Sequence, residues 1–440
     1  MTVRALALEL YEEVIDNKAY SNIVLNDALR FEELNPQDKG LLTEILYGTL
    51  QHKLTLEYYV RPFIKTKLRR WQRYLLLISV YQLEYLDRVP DYAVINDAVE
   101  IAKERGGLQA GKQINGILRA YLRGERPDID GIKNDAARLS LKYSMPKWLV
   151  KHWFKHYSTE ETERIISSLN EKPQMYLRVN KKLVDRSNLI EMLLDEGYDV
   201  RASYLHPDAI EFNGQNITHS QSYKDGFFAI QDVSSMFVNL ALNPAGEDDI
   251  LDACSAPGGK GLHALESMDG GTVSLGDVHE HKITLIDNEA ARLKHSNYEA
   301  FVADAAEYDY GRQFDRIIVD APCSGLGVVK RKPEIKYERN EEDINELVEL
   351  QLEILDNVKK YLKPGGVLIY STCTIHQLEN ENVAYTFKKT HDDIEFDDFS
   401  IPAFNFTGPY RQILPYEHHT DGFFIARFKK SDSDATEQEG

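Results

Sequence analysis

The sequence predicts a multidomain chain in three parts: an all-α N-terminal domain, a small α+β insertion, and a Rossmann-like, doubly wound α/β domain. Three observations predict it. Up to about residue 135 the apolar residues recur with helical period. Between about 140 and 230 short strand-like runs appear beside single helices. From about 231 to 430 short apolar runs alternate with long helical stretches, the pattern of a mostly parallel sheet covered on both faces. The expected boundaries are 1–138, 139–228 and 229–430, followed by a tail at 431–440 with no apolar content, expected to be disordered.

In the first part, "ALALELYEEVI" and "KGLLTEILYGTLQHKLTLEYYV" read as amphipathic helices. "RYLLLISVYQLEYL" (73–86) is apolar on nearly every side, which predicts a central buried helix. Asp91 to Glu104 gives another, ended by Gly106 and Gly107, and "GKQINGILRAYLRG" gives the last. Between helices, "RPFIKTKLRRWQR" (61–73) carries six Lys/Arg and no acid. Lys65, Lys67, Arg69, Arg70 and Arg73 are therefore candidates for holding phosphates. A second basic run, "KRKPEIKYER" (330–339), adds Lys330, Arg331 and Lys332.

In the middle part, "SMPKWLVKHWFKHY" predicts a short aromatic helix and "RSNLIEMLLDEG" another. "MYLRVN" (175–180), "AIEFNG" and "FFAIQD" predict strands.

The third part supplies strands at "DILDAC" (249–254), "TVSLGD" (272–277), "FVAD" (301–304), "RIIVDAP" (316–322), "GVLIYSTC" (366–373) and "GFFIARF" (422–428). "LDACSAPGGKGLHAL" runs from the first strand through a glycine-rich turn into a helix. Gly258, Gly259 and Gly261 let a ligand approach the backbone beside free helix N–H groups. The spacing is not GxGxxG, so no dinucleotide fingerprint is met. Asp277 ends the next strand and suits ribose hydroxyls; Asp304 ends a third and could meet an adenine amino group. Ligands of open α/β sheets bind beyond the carboxyl ends of the strands. Asp277, Asp304, Asp320, Cys323 and Cys373 all occupy such ends.

Composition excludes several classes. No apolar run is long enough to predict a membrane span, and the amphipathic start "MTVRALALELYEEV" is unlike a secretory signal. Cys254, Cys323 and Cys373 are too far apart for a knuckle or a disulfide framework, which predicts a reducing, cytoplasmic setting. "HEH" (279–281) and "HH" (418–419) do not make a zinc pattern, so no metal is expected. The net charge of −19 argues against nucleic acid on average, but phosphate affinity depends on local patches.

Two thiols beside a nucleoside pocket fit one reaction class: methylation at C5 of a pyrimidine. C5 of cytosine is a poor nucleophile until a thiolate adds to C6. It then attacks the sulfonium methyl of S-adenosylmethionine, a base removes the C5 proton, and the thiolate leaves. Asp320 is placed to stabilise such an adduct.

"DACSAPGGKG", "VDAPCSGLGVVKRKPEIKYER" and "YSTCTIHQLENE" resemble the motifs of RNA cytosine-C5 methyltransferases of the RsmB/NOP/NSUN family. The likeness is greatest to the bacterial Fmu/Sun type acting on 16S ribosomal RNA. "LRVN", "AIQDVSS" (229–235) and "LPYEHHTDGFFIARFKK" extend it over nearly the whole chain, and the helical domain resembles a NusB-type RNA-binding fold. The resemblance implies that Cys254, Ser255, Ala256, Pro257, Gly258, Gly259 and Lys260 form the S-adenosylmethionine loop. It implies that Asp277 holds the ribose, Asp304 sits near the adenine and Asp320 lines the pocket. Cys373 of the Thr-Cys motif becomes the nucleophile and Cys323 of the Pro-Cys motif the residue that assists product release; spacing alone leaves these roles open. Cys254 is expected to shape the backbone. The implied target is the cytidine at position 967 of 16S rRNA, and the implied enzyme is a monomer. Ser255 and Gly261 replace the commoner Ala and Thr, and Lys330 and Lys332 stand where Arg and His are usual. Other readings are the same chemistry on tRNA or 23S rRNA, and a non-catalytic RNA-binding or antitermination protein. A nicotinamide-dependent oxidoreductase is disfavoured by the missing fingerprint.

Overall fold

The computed structural model describes residues 2–31 and 33–432, with the side chain of Phe31 excepted. Residues 433–440 of the expected tail lie outside the described residues. By its internal contacts the chain divides into two compact units. One unit is residues through Glu171 together with Val329–Glu338; the other is Lys172–Val328 with Arg339 onward.

The first unit is helical. Helices Val3–Asn17, Pro36–Gln51, Lys53–Val60 and Arg70–Tyr85 pack around one apolar core. In Arg70–Tyr85 every residue from Tyr74 to Gln82 is buried, as its all-round apolar pattern requires. The helix Asp91–Arg123 is two helices meeting at Gly107, whose φ of 77° is a left-handed conformation that glycine alone adopts without strain. Residues 139–171, expected in the middle part, belong to this unit because their ends are tied into it. Thr55 Oγ1 donates to Leu141 O at 2.6 Å and Gln51 Nε2 to Leu169 O at 3.0 Å.

The segment Val329–Glu338 is the least expected feature. Read as an open basic surface, it is instead packed into the helical unit. Lys330, Glu334 and Lys336 are buried, Arg331 is half-buried, and Lys332 lies 4.8 Å from the Tyr20 ring centre. Glu334 caps the helix Ser21–Phe31: Ser21 N donates to one carboxylate oxygen at 3.0 Å and Ser21 Oγ to the other at 2.7 Å. Lys336 Nζ donates to Gln51 O at 2.8 Å, and Tyr337 OH to Ser144 O at 3.1 Å.

The second unit begins with a small antiparallel sheet of β1 (Met175–Val179), β2 (Asp199–Ala202), β3 (Ala209–Asn213) and β4 (Phe228–Ile230), in the order β2-β3-β1-β4. It continues with β5 (Asp249–Asp252), β6 (Thr272–Asp277), β7 (Tyr298–Val302), β8 (Phe314–Asp320) and β9 (Leu362–Thr372). Then come β10 (Ile394–Phe396), β11 (Phe399–Ile401), β12 (Phe406–Gly408), β13 (Tyr410–Ile413) and β14 (Phe423–Lys430). The large sheet has the order β10-β14-β9-β8-β5-β6-β7, with β5 to β9 mutually parallel and β14 antiparallel to β9. The direction of winding reverses between β5 and β8.

Strand periodicity puts alternate residues on opposite faces. Ile250, Ile318, Ile369 and Ile425 join one core with the helices Val233–Leu242 and Gly259–Glu266. Leu251, Ile317, Leu368 and Phe424 join another with Glu341–Val358 and Glu381–Thr390. Between the small sheet and the large one, the wholly buried Arg178 of β1 grips Glu266 with Nε and Nη2 at 3.0 and 2.7 Å, and donates to Gly259 O at 2.6 Å.

Lys336 carries a testable electrostatic signature. Burial without a carboxylate partner lowers its pKa from 10.5 to about 7. Between those values the unfolded chain binds the extra proton, so folding stability attributable to Lys336 rises with pH across that window. Urea melts at pH 7 and pH 9 should show a gain for the wild type that Lys336→Met loses.

Candidate active site

The switch between β5 and β8 opens a crevice at the carboxyl edge of the sheet. The turn after β5 lines it. Ser255 N and Oγ both donate to Gly276 O, at 2.9 and 3.1 Å, and Ala256 N donates to Asp277 Oδ2 at 3.3 Å. Gly258 has φ 99°, and the helix Gly259–Glu266 starts directly after it. A Cβ on Gly261 would lie 2.3 Å from Leu275 Cδ2, so a larger residue here needs Leu275 to shift. Residues 254–260 and Asp277 thus meet at one loop. Asp277 is buried at the end of β6, with Lys282 Nζ 3.2 Å away. Asp304 is exposed and stands two residues beyond β7, which starts and ends earlier than expected. Cys254 packs among apolar neighbours, and burial, then the nearby carboxylates, raises its pKa.

β8 and β9 end side by side, with Asp320 opposite Ser371. Their following loops carry Cys323 and Cys373, whose sulfurs lie 3.4 Å apart. Asp320 is fixed on both oxygens: Ser371 Oγ donates at 2.9 Å and Lys260 Nζ at 2.5 Å. Burial disfavours charge on Lys260, but Asp320 outweighs it and the ammonium's pKa is raised. Cys373 also favours the charged ammonium. The Cys323 thiol is pushed up, first by its hydrogen bond with Cys373 and then by burial and by Glu379 and Asp320.

Two further residues belong to this site and stand out only in the structure. Glu379 is fully buried and joins the two thiol loops. It accepts from Ser324 N at 2.7 Å, Ser324 Oγ at 2.6 Å and Thr374 Oγ1 at 3.3 Å, each next to a cysteine in sequence. The quoted "HQLENE" contained it, yet a glutamate in that stretch has no visible partner in sequence. Asp252, at the end of β5, accepts from Gly261 N at 3.0 Å, and burial raises its pKa to about 7. The glycine turn adjacent to it was the signal that could have marked it.

His206, Asp208 and His263 are the one group with metal-like spacing among the described residues. Asp208 Oδ2 meets both His263 Nε2 at 3.1 Å and Lys181 Nζ at 2.9 Å, while His206 Nε2 is buried without a hydrogen-bond partner. No helix among the described residues is long and apolar enough to cross a membrane.

A sheet wound in this order, with a glycine-lined crevice at its switch point, is the architecture of a methyltransferase, here joined to a NusB-like helical domain. Residues 239–429 match the model of the family "16S rRNA methyltransferase RsmB/F", residues 1–123 that of the NusB family, and residues 145–218 a "RsmF/B-like, ferredoxin-like domain". The chain is 41% identical to the Probable ribosomal RNA small subunit methyltransferase B of Bacillus subtilis, over 98% of this chain and 99% of that one. It is 33% identical to the Ribosomal RNA small subunit methyltransferase B of Salmonella paratyphi A, over 97% and 98%. The crystal structure of PH0851 shares the fold with a TM-score of 0.82 at 23% identity, covering 98% of this chain and 99% of that one. This chain belongs to the RsmB/F family of 16S rRNA methyltransferases.

The thiol pair should behave as a dithiol. Phenylarsine oxide, which bridges two adjacent sulfurs, should bind the wild type stoichiometrically and fail on Cys323→Ala and Cys373→Ala. Glu379→Ala should weaken its binding by about tenfold, as loops no longer held together let the sulfurs separate. Unchanged binding in Glu379→Ala would remove the clamp role.

Proposed function

We propose that this protein transfers a methyl group from S-adenosylmethionine to C5 of a cytidine in 16S rRNA, with the cytidine at position 967 as the expected target. The observation that carries the reading is the pair of sulfurs 3.4 Å apart at the carboxyl edge of the sheet, beside the Lys260–Asp320 pair. S-adenosylmethionine, when bound, supplies an electrophilic methyl on a sulfonium. Residues 254–260 and Asp277 would hold it, the loop by close backbone approach and Asp277 by its carboxylate; Asp304 would lie at the outer rim.

Cys373 is the proposed nucleophile. Its thiolate adds to C6 of the cytosine. Asp320, held by Ser371 and Lys260, faces the cytosine's N3 and amino edge and steadies the adduct. C5 then takes the methyl. The C5 proton then passes to water at the site, its bond electrons re-form the C5–C6 double bond, and the C6–S bond breaks to release Cys373 as a thiolate; Cys323, 3.4 Å from that sulfur, assists the release. The target base must be unpaired or flipped to reach the sulfurs.

Lys65, Lys67, Arg69, Arg70 and Arg73 are all exposed and are proposed to hold RNA phosphates. Lys330, Arg331 and Lys332 are packed against the protein itself and are not among them. A cytoplasmic location and a monomeric state are proposed with it.

Cys373→Ala should lower methylation by on the order of 10⁴-fold. Cys323→Ala should accumulate a covalent RNA–protein complex on a denaturing gel; a fully active variant that traps nothing would overturn the assigned roles. Bisulfite mapping of RNA from a deletion strain should lose one 5-methylcytosine in 16S rRNA. Loss from tRNA or 23S rRNA instead would redirect the substrate.

A further inference from the structure

The helical unit contains an open cavity of about 600 Å³, within the range of small-molecule sites. It lies between the helices Lys53–Val60 and Arg70–Tyr85, under the connecting stretch 61–69. Its floor is apolar, formed by Ile15, Ile64 and Leu68 among others. Its walls carry Lys53, Arg61, Arg70 and Arg73. Arg61 and Arg73 are exposed, and Arg70 is shared with Asp16 at 3.3 Å while its side chain stays 72% exposed. One acid faces this ring of cations. Glu57 is exposed at this lining; partial desolvation raises its pKa, and Lys53 and Arg73 oppose that rise.

An apolar floor, a cationic rim and a single acceptor form the pattern of a nucleotide site. Cations hold phosphate, the floor receives the flat face of a base, and a carboxylate accepts from ring or exocyclic N–H groups. A duplex cannot present a base in this way, because its bases are stacked and paired. We infer that this cavity takes one unpaired nucleotide of the RNA substrate, with its base inside and its phosphates on Arg61 and Arg73. This deepens the RNA-methylation reading and rests on it. It makes the helical unit a reader of a single-stranded feature and not merely a charged surface. Glu57 further favours a base that can donate, so uracil, whose edge offers only one N–H, should be held least well.

The test uses the full chain and fluorescence anisotropy with a short, labelled, mixed-sequence oligoribonucleotide. The comparison probes are its duplex and a series carrying one abasic site at each position in turn. The wild type should bind the single strand, and one abasic position should weaken binding by about tenfold. Ile15→Trp and Ile64→Trp fill the cavity without changing charge. Either should reproduce that loss on the single strand and leave duplex binding unchanged. Arg61→Glu with Arg73→Glu should weaken both. The inference is overturned if no abasic position matters and the tryptophan variants, folded by circular dichroism, bind as the wild type does. Because the target cytidine also enters a pocket, a sensitive position belongs to the cavity only if its effect disappears in Ile15→Trp, Ile64→Trp or the Arg61→Glu, Arg73→Glu double variant; an effect that persists in every folded variant overturns the inference. A wild-type chain that binds no RNA at all would defeat the RNA reading itself, a separate outcome.

Discussion

Parallel pairing of β8 with β9 is the constraint on which the site depends. Parallel neighbours end at the same edge of a sheet, and this register puts Asp320 across from Ser371. Everything chemical follows within a few residues. The loops leaving the two strands need only a short path to bring Cys323 and Cys373 into contact, and Gly327 N, donating to Cys373 O at 2.9 Å, returns the first loop to the second. The register could not slip by one residue without turning Asp320 to the opposite face and breaking its bond to Ser371.

Charge inside the molecule is arranged in three ways, with different consequences. Arg178 and Glu266 form a wholly buried pair with two matched hydrogen bonds, and removing one partner would strand the other. Lys260 and Asp320 are paired but partly accessible, which leaves them able to respond to an incoming substrate. Glu379 has no cation and is satisfied by hydrogen bonds alone; burial raises its pKa.

Much of this was legible in the sequence where the signal was local. Strand-and-helix alternation marked the doubly wound domain, and β6 was read at its true ends. The buried central helix, the break at Gly107 and the crevice loop were also visible. What escaped depended on partners distant in the chain. The helix Ser21–Phe31 has its N-terminus capped by Glu334, more than 300 positions away, so no capping signal precedes it. The basic run 330–339 looked like a solvated face because burial of Lys330 and Lys336 is decided by where the chain folds back. β10 to β13 are three or four residues each, too short for a period to show.

The ten residues Val329–Glu338 leave the catalytic part of the chain just past Cys323 and are built into the helical unit before returning. Neither unit is therefore a contiguous cassette. A fragment cut after Glu171 would lack the glutamate that caps Ser21–Phe31, and the remaining fragment would carry Ile335, Lys336 and Tyr337 with nothing to enclose them.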